Sequence, residues 1–276
     1  MKLSLDSLLL RALCAALVGG LALACATSAT GRRYFSMTSP SQMMALGVQA
    51  YDQLKAQTPI SQDARITAYV NCVADRIVGG LTDEQRAFAV NGQWEVNVFE
   101  DDSANAFALP GGKIGVHTGL LKVAQNQHQL AAVMGHEVMH VLADHSAQRL
   151  GNQQLAGIAL GTASIALGDM EPQTQQLTMA ALGATAQGVI LKYSRTHESE
   201  ADTYGLELIA RSGFDPRESV RLWQNMAAAA GGAQPPEFLS THPSHSTRIR
   251  DLEKKIPKVL PEYERAVAAG TAARCQ

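Results

Sequence analysis

An excess of basic charge is missing from this sequence: 23 lysines and arginines against 25 acidic residues leave a formal net charge of -2 and a pI near 6.4. No basic face is on offer to a nucleic-acid backbone or to an anionic lipid surface, which argues against nucleic-acid partners. Internal repeats are lacking, which removes solenoid and tetratricopeptide architectures. Charged residues amount to 17%, below the usual ~25%, partly because the first thirty residues carry almost none. Leu155 to Gly168 is apolar and uncharged but only fourteen residues long, too short to cross a bilayer as a helix. It reads as a core or lid helix, with membrane contact as the second option. What is present, 276 residues of which 46% are hydrophobic, suits one globular domain of ordinary size.

The first 24 residues read as a secretory signal. Lys2 and Arg11 flank or interrupt apolar sequence, an uncharged run extends from Ala12 to Thr30, and Ala22-Leu23-Ala24 precedes Cys25. That triplet is an A-x-A cleavage site or an imperfect bacterial lipobox with Cys25 as the lipidated residue. With Ala26 and no Asp after the cysteine, the sorting expectation is the outer membrane. Residues 25–40 would then be a flexible tether, leaving 41–276 as the folded domain.

Cysteine is scarce, with four in the chain. Cys14 lies in the signal and Cys25 at its end, so Cys72 and Cys275 remain for the mature domain. In an oxidising compartment this pair predicts a disulfide across 203 residues, worth up to ~5 kcal/mol by chain entropy. The alternative is a buried thiol and a stray tail thiol.

Apolar residues at three- and four-residue spacing predict helices from Ser41 and, after Pro59, from Asp63 to Gly79-Gly80. Alternation around Val96 and Val98, turn residues Asp101 and Asp102, and the Pro110-Gly111-Gly112 break predict a small antiparallel sheet. Asn126 is an N-cap, with Gln129 at the capping-box position, for a helix whose stripe is Leu130, Val133, Met134, Val138, Val141 and Leu142, ending near Leu150. A further helical stretch breaks near Tyr193 and Ser194 and stops at Gly213. Asp215, Pro216 and Glu218 start the next, which ends at Gly231-Gly232. The last helix runs from Ser246 to Ile256 and is stopped by Pro257.

The chemistry lies in "HEVMH", His136 to His140. At ~100° per residue the two histidines share one helix face and can present two nitrogens to one ion, with Glu137 beside them to take a proton from water. Composition alone would produce such a pattern about once in a hundred chains of this kind. A catalytic zinc needs a third protein ligand and an open position. His145 follows His140 too closely, without a glycine turn, for the three-histidine arrangement. In "HESEAD", Glu198 can ligate while Asp202, one turn on, accepts the outer N–H of a ligating histidine. Glu200, about 200° around the helix from Glu198, is the weaker ligand. Alone, that segment would read as a solvated acidic face.

HExxH followed by "YSRTHESEAD" resembles the zinc metalloproteases of the CAAX prenyl protease and HtpX family, gluzincins with HExxH plus ExxxD. The likeness is nearest to its bacterial periplasmic branch of LoiP-like and BepA-like lipoproteins. It extends over "NAFALPGGKIGVHTGLL", the two metal segments and "STHPSHSTRI" in order. The resemblance implies an α+β, mostly helical, zincin-like domain in which His136, His140 and Glu198 hold one Zn2+, Glu137 is the catalytic base and Asp202 supports a ligand. It further implies that Asn105, Ala106, Phe107 and Ala108 form an edge strand that binds extended substrate. His242 would approach the zinc, assisting the oxyanion or filling the fourth position at rest, with Arg248 supporting its loop by a salt bridge. His117, His128, His197 and His245 receive no role. The chain lacks the membrane helices of some family members and the C-terminal repeats of others. The implied activity is endoproteolysis of unfolded or misfolded envelope proteins by an exported, membrane-anchored enzyme. The competing readings are a zinc-stabilised chaperone that does not cleave, and an exported scaffold with an accidental motif.

Overall fold

The computed structural model describes residues 25–167, 170–229, 242 and 247–275. The expected signal at 1–24, the helix stop at Gly231-Gly232, the helix start at Ser246, and His245 lie outside the described residues.

Strands β1 (Cys25–Thr27) and β2 (Arg33–Phe35) pair antiparallel with Ala26 opposite Tyr34. The segment expected as a flexible tether is thus a hairpin and the start of a helix. α1 (Pro40–Gln57) begins at Ser39, where a capping box with Gln42 and a proline at the first position satisfy the free N–H groups. α2 (Ala64–Gly79) begins at Asp63, whose carboxylate accepts from the Arg65 and Ile66 N–H groups. A single turn, α3 (Asp83–Arg86), precedes the sheet.

That sheet has the order β3-β5-β4, from β3 (Glu95–Phe99), β4 (Ala106–Leu109) and β5 (Lys113–His117). It is mixed, where an antiparallel sheet was expected. Gly111 and Gly112, at φ +89° and +73°, turn β4 directly back onto β5, and these conformations are open to glycine at little cost. Asp101 to Asn105 instead carry the chain across, fixed by the Ser103 N–H to the Asp101 carboxylate at 2.7 Å and the Gly119 N–H to the Asp101 carbonyl at 2.8 Å. β3 therefore lies parallel to β5, and β4 is left on the outer edge.

Among the described residues five more helices follow: α4 (Gln127–Leu142), α5 (His145–Ala166), α6 (Pro172–Arg211), α7 (Glu218–Ala229) and α8 (Arg248–Ala268). Asn126 caps α4 by accepting from the His128 and Gln129 N–H groups, both at 3.0 Å. Gln129 turns its carbonyl to the Gln125 N–H and its amide to Glu218, so the expected box closes one residue early. The whole predicted stripe of α4 is buried, and most of its polar face is too, because β4, α2, α6 and α7 surround it. α4 stops at Ala143 instead of near Leu150: Asp144 adopts the left-handed conformation, φ 54°, which aspartate tolerates better than most residues, and α5 leaves in a new direction.

Other boundaries also moved. The apolar stretch of α5 is surface and not core, with Ile165 83% exposed. α6 runs unbroken past Tyr193 and Ser194, where the sequence holds neither proline nor glycine to break it. α8 continues through Pro257 and Pro261. Both prolines face solvent, so the carbonyls they free, those of Glu253 and Pro257, can be hydrated while Leu252, Ile256 and Val259 hold the opposite face against the core.

α4 and α6 cross closely at two glycines. A Cβ on Gly135 would lie 2.6 Å from Ile209 Cγ2, and one on Gly205 would lie 3.3 Å from the His136 backbone. The Cys72–Cys275 disulfide ties α2 to the tail, as expected, with Cα atoms 5.7 Å apart. Among the described residues no helix is long and apolar enough to cross a membrane.

Candidate metal centre

The close crossing places the HExxH face of α4 against the Glu198 turn of α6. His136 Nε2 and His140 Nε2 are 3.0 Å apart. Glu198 sets Oε2 3.3 Å from the first and Oε1 3.5 Å from the second. His242 points Nδ1 to within 3.3 Å of His136 Nε2 and 3.1 Å of Glu198 Oε2. A tetrahedral ion with N and O donors at about 2.0–2.1 Å has donor-to-donor edges of roughly 3.3–3.4 Å. The three expected ligands and His242 therefore fit the corners of one metal polyhedron, and all four are buried.

Glu137 also lies in this cluster, its carboxylate and the His136, His140 and His242 nitrogens all within 4.8 Å of one another. Its bonding separates it from Glu198. Glu198 is engaged by His242 and Arg248. Glu137 Oε1 is buried without a hydrogen-bond partner among the described residues, 3.3 Å from His242 Nε2 but not aligned with it. An orphaned buried carboxylate oxygen beside a set of metal donors suits a proton acceptor for water.

Electrostatics divide the two carboxylates in the same way. Burial raises the Glu137 carboxyl above its ordinary value, against the pull of His242 and His136. Glu198 is equally shut off from water, yet hydrogen bonds from His136 and His242 hold it well below the carboxylate range. Burial pushes His136 down, but Asp202 and Glu198 overcome it and carry the imidazole to about 9. Burial and the neighbouring His136 push His140 well down. The two carboxylates are thus set apart, Glu198 held ionised by its partners and Glu137 left with a raised affinity for protons.

Asp202 stands where the sequence put it, Oδ1 3.0 Å from His136 Nδ1. Arg248, expected to brace the His242 loop, whose residues 243–246 lie outside the described ones, braces the carboxylates. It donates to Asp202 at 2.6 Å and Glu198 at 3.2 Å, with its guanidinium 3.5 Å above the Trp223 ring. The reason is burial: with Arg248 3% exposed, two buried anions are the partners that offset its desolvation. The Asn105 to Ala108 segment packs directly on α4. Ala106 and Ala108 are buried, Phe107 sits among Tyr51, Phe99 and His117, and the outer edge of β4 pairs with no other strand among the described residues. His145, Glu200 and His197 were given no supporting role from sequence, yet the structure gathers them behind His140. A five-residue spacing on an unbroken helix puts His145 ~140° from His140, and only the left-handed break at Asp144 brings it back.

Residues 65–256, which contain the HExxH and ExxxD segments, match peptidase family M48. The chain belongs to peptidase family M48. It is similar to the "Beta-barrel assembly-enhancing protease" of Escherichia coli K12, 31% identical over 82% of this chain and 46% of that protein. It is also similar to the mitochondrial metalloendopeptidase OMA1 of Schizosaccharomyces pombe, 36% identical over 72% of this chain and 55% of that one. The OMA1 metalloendopeptidase of Bos taurus is 33% identical over 83% of this chain and 44% of its own length. The chain thus spans about half the length of these M48 relatives, and the buried histidine and glutamate cluster agrees with a metallopeptidase of this family.

Proposed function

We propose that this chain is a zinc metalloendopeptidase of the bacterial cell envelope that cleaves unfolded or misfolded periplasmic and outer-membrane proteins. The observation that carries the reading is the donor set: His136, His140 and Glu198 at polyhedron spacing with the unbonded Glu137 oxygen beside it. These three residues would hold the zinc. When bound, the metal supplies Lewis acidity, which acidifies water and polarises the scissile carbonyl. Glu137 takes the proton from the attacking water, a step its raised affinity for protons favours, and then passes it to the more basic leaving amine. Asp202 fixes the His136 ring by accepting from Nδ1, and Arg248 holds Asp202 and Glu198 in place. Substrate adds to the free edge of β4 as an extended strand, and a chain that can do so must be locally unfolded.

His242 occupies the corner that water or substrate would use, which supports a resting latch over an assisting role. Turnover then requires His242 to withdraw. The envelope assignment rests on the signal-like start with Cys25 and on the relative named for β-barrel assembly; the mitochondrial relatives share the peptidase core. Lipidation of Cys25 and outer-membrane anchoring belong to the same proposal. The second reading, a chaperone that holds outer-membrane proteins without cutting, makes no use of a base beside the metal. Residues 26–276 and Glu137→Gln should each bind about one zinc, and only the unmodified protein should degrade casein. Zinc in both with cleavage by neither, even after His242→Ala, would favour the chaperone.

A further inference from the structure

His140 turns Nε2 toward His136 Nε2, so its Nδ1 faces the other way, and that atom lies 2.7 Å from His145 Nδ1. Two imidazole nitrogens at this distance share one proton. If His140 is to offer the Nε2 lone pair to a metal, its single ring proton sits on Nδ1, and His145 is the acceptor. A neutral His145 accepting at Nδ1 must carry its own proton on Nε2. That nitrogen is 3.4 Å from Glu200 Oε2, a carboxylate. The proton order is thus fixed along the row: His140 donates to His145, and His145 donates to Glu200.

Glu200 is held in turn by the N-terminal hairpin. Thr30 Oγ1 donates to Oε1 at 2.5 Å, and Arg32 donates to Oε2 from Nε at 2.7 Å and from its terminal nitrogen at 2.6 Å. The same hairpin donates the Ala29 N–H to the Leu142 carbonyl at the end of α4. His145 is clamped from the side by His197, stacked at 4.2 Å, and His197 is tied through Gln148 to the Ala143 carbonyl. His145 is 1% exposed, so no water substitutes for these partners without rearrangement.

We propose that His145 and Glu200 are positioning residues for His140, and that the hairpin Cys25–Phe35 is a working part of the metal centre. The proposal rests on the metal reading above. The arrangement mirrors the other side of the site: Asp202 supports His136 directly, whereas Glu200 supports His140 through one intervening imidazole. The run Glu198, Glu200, Asp202 on α6 then supplies one metal donor and the anchor for each histidine. The hairpin lies ahead of the family-matched residues 65–256, whereas His145 and Glu200 lie within them.

The test uses the full chain and its Glu200→Gln, Arg32→Met and His145→Ala forms. Zinc dissociation constants are measured by competition with a chelator of known affinity, and the visible absorption of each cobalt(II)-loaded form is recorded. Loss of support behind a metal-bound histidine costs about 10–100-fold in affinity. Weakening of that order is expected for His145→Ala, about 10-fold for Glu200→Gln and less for Arg32→Met, with an altered cobalt spectrum where His140 has moved. If His145→Ala does not fold, the other two, which sit at the partly exposed end of the row, decide the matter. Tight zinc in the unmodified chain with unchanged affinity and spectrum in the variants would overturn the relay while leaving the metal centre standing. No zinc in the unmodified chain would overturn both.

Discussion

Reducing the Cys72–Cys275 bridge should cost stability out of proportion to the few residues it fastens. The bond closes a loop of 203 residues that contains the sheet, α4 and the whole donor set. For that length, chain entropy gives about 18 cal/mol/K, or ~5 kcal/mol at 25 °C, an upper value because a reduced unfolded chain keeps some compactness. The native state gives little of this back, because the tail has its own bonds. Ala273 and Gly213 are joined at 2.9 Å, the Cys275 N–H donates to Gln127 at 2.6 Å, and Arg76 donates to the Thr271 carbonyl at 3.1 Å. With these contacts intact in both forms, the difference lies mainly in the unfolded chain. Guanidinium unfolding of the oxidised protein and of Cys72→Ala/Cys275→Ala, followed by tryptophan fluorescence, should show midpoints about 1 M apart for a slope near 5 kcal/mol/M. A difference under about 0.2 M at equal slope would refute the loop argument and reduce the bridge to a local tail fastener.

Arg248→Met should lower the stability of the metal-free protein by about 3–5 kcal/mol, since Glu198 and Asp202 lose their buried cation; adding zinc in a thermal melt should restore more stability to this variant than to the parent. Burial raises the Asp144 carboxyl from 3.8 to about 6. Its folded form therefore favours the neutral acid, so folding carries no penalty below about pH 4, a growing one between 4 and 6, and the full one above 6. Asp144→Asn, which keeps a residue tolerant of the left-handed conformation, should stabilise by about 1 kcal/mol at pH 8, the shift being discounted for partial contact with water. Melting curves of the two should converge by pH 4, and a constant difference across that range would exclude the carboxyl as the cause. Gly47→Ala places a methyl group on the Pro110 carbonyl, a backbone atom with no rotamer to escape into. A loss of 1–3 kcal/mol, typical of overpacking, should appear as a lower denaturation midpoint.

The donor set was legible because its spacing is a property of one helix: His136 and His140 share a face whatever packs around them, and Glu198 with Asp202 repeats the rule. The Asn126 cap and the Pro110-Gly111-Gly112 turn were legible for the same local reason. What could not be read depended on partners distant in sequence. Burial of the opposite helix face let α8 continue through Pro257. The crossing segment at Asp101 to Asn105 decided that β3 and β5 run parallel. One residue, Asp144, redirected α5 and turned His145 from a rejected ligand into a neighbour of His140. The two carboxylates that Arg248 holds lie 46 and 50 positions away, a pairing that no local spacing encodes.

The stack of His145 on His197 has a topological meaning as well. These residues stand at the first turn of α5 and in the second half of α6, so the chain leaves the core and returns to it at nearly one place. Beyond Gly151, the last buried residue of α5, the described chain between them is an excursion whose ends are already closed. Its length can change without moving either end, because extending a closed loop adds only a slowly growing entropic cost. Here evolution or design could exchange a helical pair for a shorter turn, or for an inserted domain, while both halves of the donor set stay in register.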